Sequence, residues 1–410
     1  MHKETMAETY ISRSLEPVLK KAIREFPAAA LVGPRQSGKT TLLKRLFEGK
    51  IPLVSLEPPD VRLAALNDPR GFLNLHPPPV IFDEIQYAPE LLPYLKEKID
   101  SQRNRVGQYI LTGSQNLLLM RQVTESLAGR AAVLKLLPLS RWEVDGQAGR
   151  SLPWEKQAAS LENQTRPELW GQILRGFYPE IVKRPERDFR LWYASYVQTY
   201  LERDVRNLRN IGDLTQFQTF LRALAARSAQ ILNVSDLARD VGISVNTARD
   251  WISLLEASFQ VFLLRPYYAN IGKRLVKAPK VYFTDTGLLC YLVGLRDVEH
   301  AMSGPMGGAI FENLVAADML KIFLHRGEEP AMYYWRTSHG SEVDLIVETQ
   351  SGLVPLEIKQ TETPRPEMAK GIVSFKADFK KKAASGYVIF PGEVVLPLAE
   401  NVVSLPLVDL

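Results

Sequence analysis

One cysteine, Cys290, is the whole sulfhydryl content of this 410-residue chain. That excludes an internal disulfide framework and suits a reducing cytosol. The sequence also lacks any apolar run approaching the ~20 residues needed to cross a bilayer. Its opening, MHKETMAETYISRSLE, is charged rather than apolar and makes no secretory leader. No internal repeat or low-complexity tract stands out. These absences predict a cytoplasmic protein with no membrane partner. The composition that remains, 46% hydrophobic and 24% charged, is that of a globular protein. The length exceeds one ordinary core and predicts roughly two to four domains. A net charge of +5 tolerates a polyanionic partner without demonstrating one.

Against that background one stretch is specific. GPRQSGKT, residues 33–40, fits G-x-x-x-x-G-K-[ST], with an apolar run at 28–32 before it and a helical stretch at 41–47 after it. Gly33 and Gly38 permit backbone angles and close approaches that a side chain would block, so successive N–H groups can point at one anion. The helix N-terminus adds its positive end at the same spot. Lys39 supplies a full charge for the β- and γ-phosphates, and the Thr40 hydroxyl can hold Mg²⁺. The expected nucleotide-binding set is Gly33, Pro34, Arg35, Gln36, Ser37, Gly38, Lys39, Thr40 and Thr41, and its ligand is a nucleoside triphosphate.

Further apolar runs at 53–56, 80–82, 108–112 and 132–139 alternate with helical stretches, a parallel α/β pattern with ligands beyond the strands' carboxyl ends. The third run ends in Asp83 and Glu84. Asp83 can accept Mg²⁺ or its waters, and Glu84 can polarise the attacking water. After the fourth run, Ser114 or Gln115 could orient that water, or Ser114 could simply cap a helix. Arg130 could stabilise transition-state charge in a neighbouring subunit, or satisfy the last carbonyls of its own helix.

A polar, irregular stretch at 146–165 marks a boundary. Helical text follows to 213. Residues 230–267 then read helix–turn–helix–strand, with Leu237, Ala238, Val241, Ala248, Trp251, Ile252 and Leu255 as shared core and Ser244 as a cap. The outward face of the second helix offers Asn246, Thr247, Arg249 and Asp250, which is barely cationic for a groove-reading helix. Lys273, Arg274, Lys277 and Lys280 form a better phosphate candidate, or a solvated charge run.

Near the C-terminus, SEVDLIVE (341–348) and LVPLEIKQ (353–360) flank the turn TQSG. Both runs alternate, with Val343, Leu345, Val347, Val354, Leu356 and Ile358 on one side and Glu342, Asp344, Glu357 and Lys359 on the other. As a hairpin with loop 349–352, residue 348 lies opposite 353, and counting back sets Asp344 across from Glu357. Their Cβ atoms would be about 5 Å apart, close enough to grip one cation. Lys359 shares that face and could position or deprotonate a water. A wet amphipathic hairpin, with Lys359 paired to Glu342, is the plain alternative. Glu312, turned inward on a helical run at 307–323, needs a partner, and a metal held by Asp344 and Glu357 would serve.

The motifs GPRQSGKTTLL, IFDEIQ, LTGSQ, LAGR, TYLERDV, PKVYFTDTGLL, FENLV, YYWRT, EVDLIV and PLEIK, in this order, resemble those of a large family of prokaryotic AAA-type ATPases. Members carry a winged helix and a C-terminal domain similar to PD-(D/E)XK nucleases. The resemblance implies an α/β fold: a P-loop NTPase parallel sheet with a helical lid, a winged helix, and a C-terminal α/β restriction-endonuclease-like domain. The corresponding boundaries are 1–145, 146–215, 216–270, a linker at 271–300, and 301–410. It implies ATP as the nucleotide, catalytic roles for Glu84, Ser114, Arg130 and Lys359, and metal ligation by Thr40, Asp83, Glu312, Asp344 and Glu357. The cations would be Mg²⁺, with Mn²⁺ acceptable at the nuclease-like site. Gln360 after the lysine is a departure seen in some nuclease relatives. The implied partners are DNA, branched DNA among it, and further copies of the chain in a ring, hexameric by preference.

Overall fold

The computed structural model describes residues 10–113, 126–155, 166–201, 214–268 and 277–410. Strands β1 (Ala28–Val32), β2 (Leu53–Ser55), β3 (Val80–Asp83), β4 (Tyr109–Gly113) and β5 (Ala131–Lys135) form one sheet. Its order is β2-β3-β4-β1-β5, and every pairing is parallel. Both faces are covered, which is why the strands read as unbroken apolar runs. Ala28, Ala30 and Val32 face one core, while Ala29 and Leu31 face another with Leu19 of the helix Glu16–Glu25 and Leu42 of the helix Lys39–Phe47. The fifth expected run extends to 139, but β5 stops at Lys135 and residues 136–139 pass on as buried, non-strand chain.

The middle of the chain is helical. Helices Arg166–Arg175, Pro179–Lys183 and Phe189–Tyr196 pack through buried aromatics, among them Trp170, Tyr178 and Tyr193. Helices Leu214–Ala225, Val234–Val241 and Val245–Ala257 follow. The turn between the last two is written locally: Gly242 takes φ +75 at a helix end, and Ser244 accepts the Thr247 N–H at 3.0 Å.

A second sheet holds β6 (Val261–Pro266), β7 (Lys280–Phe283), β8 (Met332–Arg336), β9 (Glu342–Thr349), β10 (Gly352–Ile358), β11 (Gly386–Phe390), β12 (Pro397–Ala399) and β13 (Val402–Pro406). Its order is β12-β13-β11-β10-β9-β8-β6-β7. The sheet runs across the boundaries expected at 270 and 300. β6 pairs with β8 at Arg265 and Tyr333, and residues 280–292, expected to be linker, form β7 and the buried helix Thr286–Leu292. An unpaired strand edge at β8 would leave amide groups exposed, and β6 satisfies them.

Behind this sheet lies the helix Gly307–His325, in which 16 of 19 residues are buried. Such a helix is apolar on every side and belongs in an interior. The polar groups of its C-terminal half, Asp318, Lys321 and His325, reach the chain that follows the first sheet. Asp318 accepts the Arg141 N–H at 2.9 Å, Lys321 donates to Leu139 O at 3.1 Å, and His325 Nε2 accepts the Leu137 N–H at 3.1 Å. The other nitrogen of His325 lies 3.1 Å from Glu143, which also pairs with Arg13 at 3.1 Å and accepts N–H groups from Ser14 and Ser140. Arg13 in turn donates to Ser37 O at 2.8 Å, beneath the glycine loop, and to Leu137 O at 2.7 Å. Burial alone would raise the Glu143 carboxyl; Arg13, His325 and Ser140 outweigh it and hold it far below the ordinary carboxylate range. Burial pushes the His325 imidazole down, so at neutral pH it is uncharged.

Glu143→Gln leaves Arg13 buried without its anion and is expected to cost about 3–5 kcal/mol at neutral pH. Because the carboxyl titrates lower in the fold than unfolded, its contribution is complete above the unfolded value and is lost as pH falls below about 4.5. Denaturant melts of both proteins across pH should show a wide gap at pH ~7 that narrows in acid; equal midpoints at neutrality would contradict this role.

Candidate functional site

The glycine loop leaves the carboxyl end of β1, and the acids leave that of β3, with β4 between them. Gly33 has no room for a side chain: a Cβ there would lie 2.0 Å from Leu136 O. Gly38 opens the helix Lys39–Phe47 at φ +94, a conformation glycine adopts freely. Lys39 is buried and donates to Gly33 O at 2.9 Å and Pro34 O at 2.8 Å, folded over the loop where a phosphate oxygen would compete for it. Thr40 donates to Asp83 Oδ2 at 3.0 Å. A hydroxyl and a carboxylate converging in this way are hard oxygen donors suited to Mg²⁺.

Thr112, last but one in β4, donates to Asp83 Oδ1 and accepts the Glu84 N–H at 3.0 Å. Glu84 sits in the left-handed region at φ +59, and Gln86 donates to its carboxylate. A non-glycine residue held there is the kind of strain found at working sites. Sequence reasoning placed the polar orienting group at Ser114 or Gln115, which lie outside the described residues. Thr112 was missed, although a threonine closing an apolar strand beside two acids was the available signal.

A cleft of about 490 Å³ opens over the loop, lined by Arg35, Gln36, Lys39, Thr40, Thr41 and Glu84. Pro179, Glu180, Lys183 and Arg184 line its other side, along with Glu57. Lys183 and Arg184 were also missed, because only folding brings the helix Pro179–Lys183 to the loop. Arg130 stands at the opposite, amino-terminal end of β5, gripping Asp100 through two hydrogen bonds of 2.6 and 2.9 Å and donating to Ala128 O. Within one chain it satisfies a local carbonyl and an acid and does not reach the loop.

The second constellation lies at the open end of the β9–β10 hairpin. Leu345 pairs with Leu356 and Glu348 with Leu353, so Asp344 and Glu357 follow next across the ladder, as counted from the turn. The rest of their face is not wet. Ile346 and Leu353 lie under the helix Lys370–Phe379, and Val343 joins them where the β8–β9 register shifts between Tyr333 and Trp335. Only glycine lets that helix sit so close, since a Cβ at Gly371 would be 2.0 Å from Glu342 O.

Asp344 Oδ2 accepts the Ile358 N–H at 2.8 Å. Lys359 lies 2.6 Å from Glu357 and 3.8 Å from Asp344. Lys280, expected among solvated phosphate-binding lysines, is buried instead, because four neighbouring groups compensate its charge. It contacts Glu342 at 2.7 Å, Glu312 at 3.0 Å and Asp344 at 3.7 Å, and stands over the Tyr334 ring. Of its expected companions, Lys277 is exposed, and Lys273 and Arg274 lie outside the described residues. Glu312 thus finds its partners in Lys280 and in Tyr282, whose hydroxyl donates to it at 2.7 Å. Burial first, then the neighbouring Asp344, pushes Glu312 up to about 7 and Glu357 up to about 8. Lys359 is held up by Asp344 and Glu357 despite its burial, so it is an ammonium at neutral pH.

Among the described residues no group of three His, Cys, Asp or Glu side chains is spaced to hold a metal. Glu312, Asp344 and Glu357 do converge, but Lys280 stands between the first two. Asp344 and Glu357 still fit a divalent cation: both are hard oxygen donors, and Glu357 Oε2 is buried with no hydrogen-bond partner among the described residues.

Comparison with known proteins agrees with the first site. Residues 25–144 match an AAA domain, 166–299 a Domain of unknown function (DUF8612) and 307–410 a Domain of unknown function (DUF4143). Uncharacterized protein Rv2008c of Mycobacterium tuberculosis is 31% identical over 392 residues, covering 95% of this chain and 82% of that protein. Uncharacterized protein Mb2031c of Mycobacterium bovis matches to the same extent. The chain belongs to their family, one of AAA-domain P-loop ATPases. Uncharacterized protein MJ1544 of Methanocaldococcus jannaschii is 22% identical to the ATPase over 335 residues, covering 77% of this chain and 71% of that one. Among solved structures, the Walker-type ATPase PABY2304 of Pyrococcus abyssi aligns with a TM-score of 0.44 at 18% identity, covering 71% of this chain and 98% of that one. No helix among the described residues is long and apolar enough to cross a membrane.

Lys39→Ala should remove ATP turnover by the ATPase, at least ~100-fold in a phosphate-release assay. Gly33→Ala should do so as well while also lowering the melting temperature, because Leu136 O must move. Normal turnover in the lysine variant would move the nucleotide site elsewhere.

Proposed function

We propose that this ATPase processes DNA, branched DNA foremost, working as a ring of subunits whose C-terminal domain, of the PD-(D/E)XK kind, cuts phosphodiester bonds. The observation that carries the reading is Asp344 and Glu357 just beyond the Leu345–Leu356 pair, with Lys359 in contact with both and one buried Glu357 oxygen lacking a partner among the described residues. At the nucleotide site, Lys39 leaves the loop carbonyls for the phosphates, Thr40 and Asp83 would hold Mg²⁺, and Glu84 orients the attacking water. Lys183 and Arg184 approach the phosphates from the lid side. Arg130 acts in the neighbouring subunit after releasing Asp100, and Ser114 completes the set.

In the C-terminal domain, Asp344 and Glu357 would hold Mg²⁺ or Mn²⁺, which supplies Lewis-acid polarisation of the phosphodiester. The Lys359 ammonium orients the water and opposes charge developing on the phosphate; Glu312 acts as an accessory acid through Lys280. The three helices at 214–257 followed by antiparallel β6 and β7 support a winged-helix reading. Exposed Asn246 and Arg249 give that helix a weak claim on phosphates, so it serves assembly as readily as DNA.

A second reading is an ATP-dependent switch that holds DNA without cutting. The two lysines that already neutralise the acid cluster favour it. Labelled branched and linear DNA, incubated with Mg²⁺ or Mn²⁺ and with or without ATP, separates the two. Cutting is expected, falling at least ~100-fold in Asp344→Ala while ATP turnover persists. Retained but intact DNA would support the switch, and undiminished nicking by Asp344→Ala would end the metal assignment.

A further inference from the structure

We propose that Lys280 is a built-in counter-ion of the C-terminal acid cluster and competes with a divalent cation for Asp344. The inference deepens the reading of Asp344 and Glu357 as cation ligands and rests on it. Four carboxylates (Glu312, Glu342, Asp344 and Glu357) share this pocket with two ammonium groups, Lys280 and Lys359. Lys280 touches three of the four, its side chain is 3% exposed, and its contact with Asp344 is the longest at 3.7 Å. The lysine therefore serves Glu312 and Glu342 first and keeps only a loose hold on Asp344. Among the described residues Glu357 Oε2 keeps no hydrogen-bond partner.

A divalent ion binds carboxylate oxygens at roughly 2.0–2.6 Å. Seated between Asp344 and Glu357, it would stand within a few ångströms of the Lys280 ammonium, in a pocket that screens poorly. Occupancy by the ion and the present position of Lys280 thus oppose each other. The lysine is also not part of the hairpin that carries the ligands. It comes from β7, the end strand of the sheet, whose Phe283 exchanges hydrogen bonds of 2.7 and 2.9 Å with Asn313 of the helix bearing Glu312. With β7 so held, the flexible lysine side chain can turn from Asp344 toward Glu312 and Glu342 without disturbing the hairpin that carries Asp344 and Glu357.

The test is Mn²⁺ binding to the full chain without DNA or nucleotide, followed by the electron-spin signal of free Mn²⁺. Lys280→Met should bind one Mn²⁺ at least ~10-fold more tightly than wild type. Lys280→Arg should remain as weak as wild type, and Asp344→Asn in the Lys280→Met background should remove the gain. ATP turnover by Lys280→Met reports whether the chain is folded. Should that variant not fold, amine labelling of wild-type Lys280, read by mass spectrometry, serves instead and should rise several-fold with Mn²⁺. Unchanged or weaker Mn²⁺ binding in folded Lys280→Met, or labelling indifferent to Mn²⁺, would overturn the proposal. Tighter binding with no DNA cut by any variant would leave it standing and remove the nuclease reading alone.

Discussion

A buried carboxylate, Glu143, organises this molecule. It collects Arg13 from the chain preceding the first helix, His325 from the end of the long helix, and its own helix cap at Ser140. A charge so far from water is tolerable only when several donors converge on it, and removing one leaves the others stranded. Through Arg13 the same group steadies Ser37 O at the base of the glycine loop. The loop's curvature thus depends on contacts from residues more than a hundred positions away, as much as on its glycines.

The nucleotide site shows how little a P-loop leaves to chance locally. Gly33 is fixed by the approach of Leu136 O, Gly38 by its backbone angle, and Thr40 and Thr112 clamp the two oxygens of Asp83 from either side. With Asp83 so held, Glu84 turns into the left-handed region and points along the cleft. The C-terminal cluster follows the opposite logic. Its acids are brought together by strand register, and their mutual repulsion is then offset by two ammonium groups, Lys359 directly after β10 and Lys280 from β7.

What was legible in the sequence follows from the range of the forces involved. β1 to β4, the loop and the helix after it are written in local patterns: apolar runs, glycine spacing, a cap at Ser244. The placing of Asp344 and Glu357 just beyond the Leu345–Leu356 pair was legible too: Thr349 and Gly352 join the ladder and leave a shorter loop than expected, but the register counted from the turn is the same. Lys280 was not. A lysine that follows Lys273, Arg274 and Lys277 looks solvated, and its burial depends on carboxylates 32, 62 and 64 positions on, at Glu312, Glu342 and Asp344. The stretch expected as a linker at 271–300 hid its structure for the same reason: β6 and β7 look like the end of one module, and the pairing of β6 with β8 becomes visible only in three dimensions. Thr112, Lys183 and Arg184 escaped notice because one is hidden in a strand and the others arrive from a distant helix.

The long helix Gly307–His325 has a practical meaning for anyone wishing to take the protein apart. Its far end supplies Asp318, Lys321 and His325 to backbone groups of Arg141, Leu139 and Leu137. A fragment ending before residue 307 would bare that apolar seat and orphan those amides and carbonyls at once, together with one partner of Glu143. The nucleotide-binding half is therefore not a detachable cassette: the last quarter of the polypeptide is part of its floor.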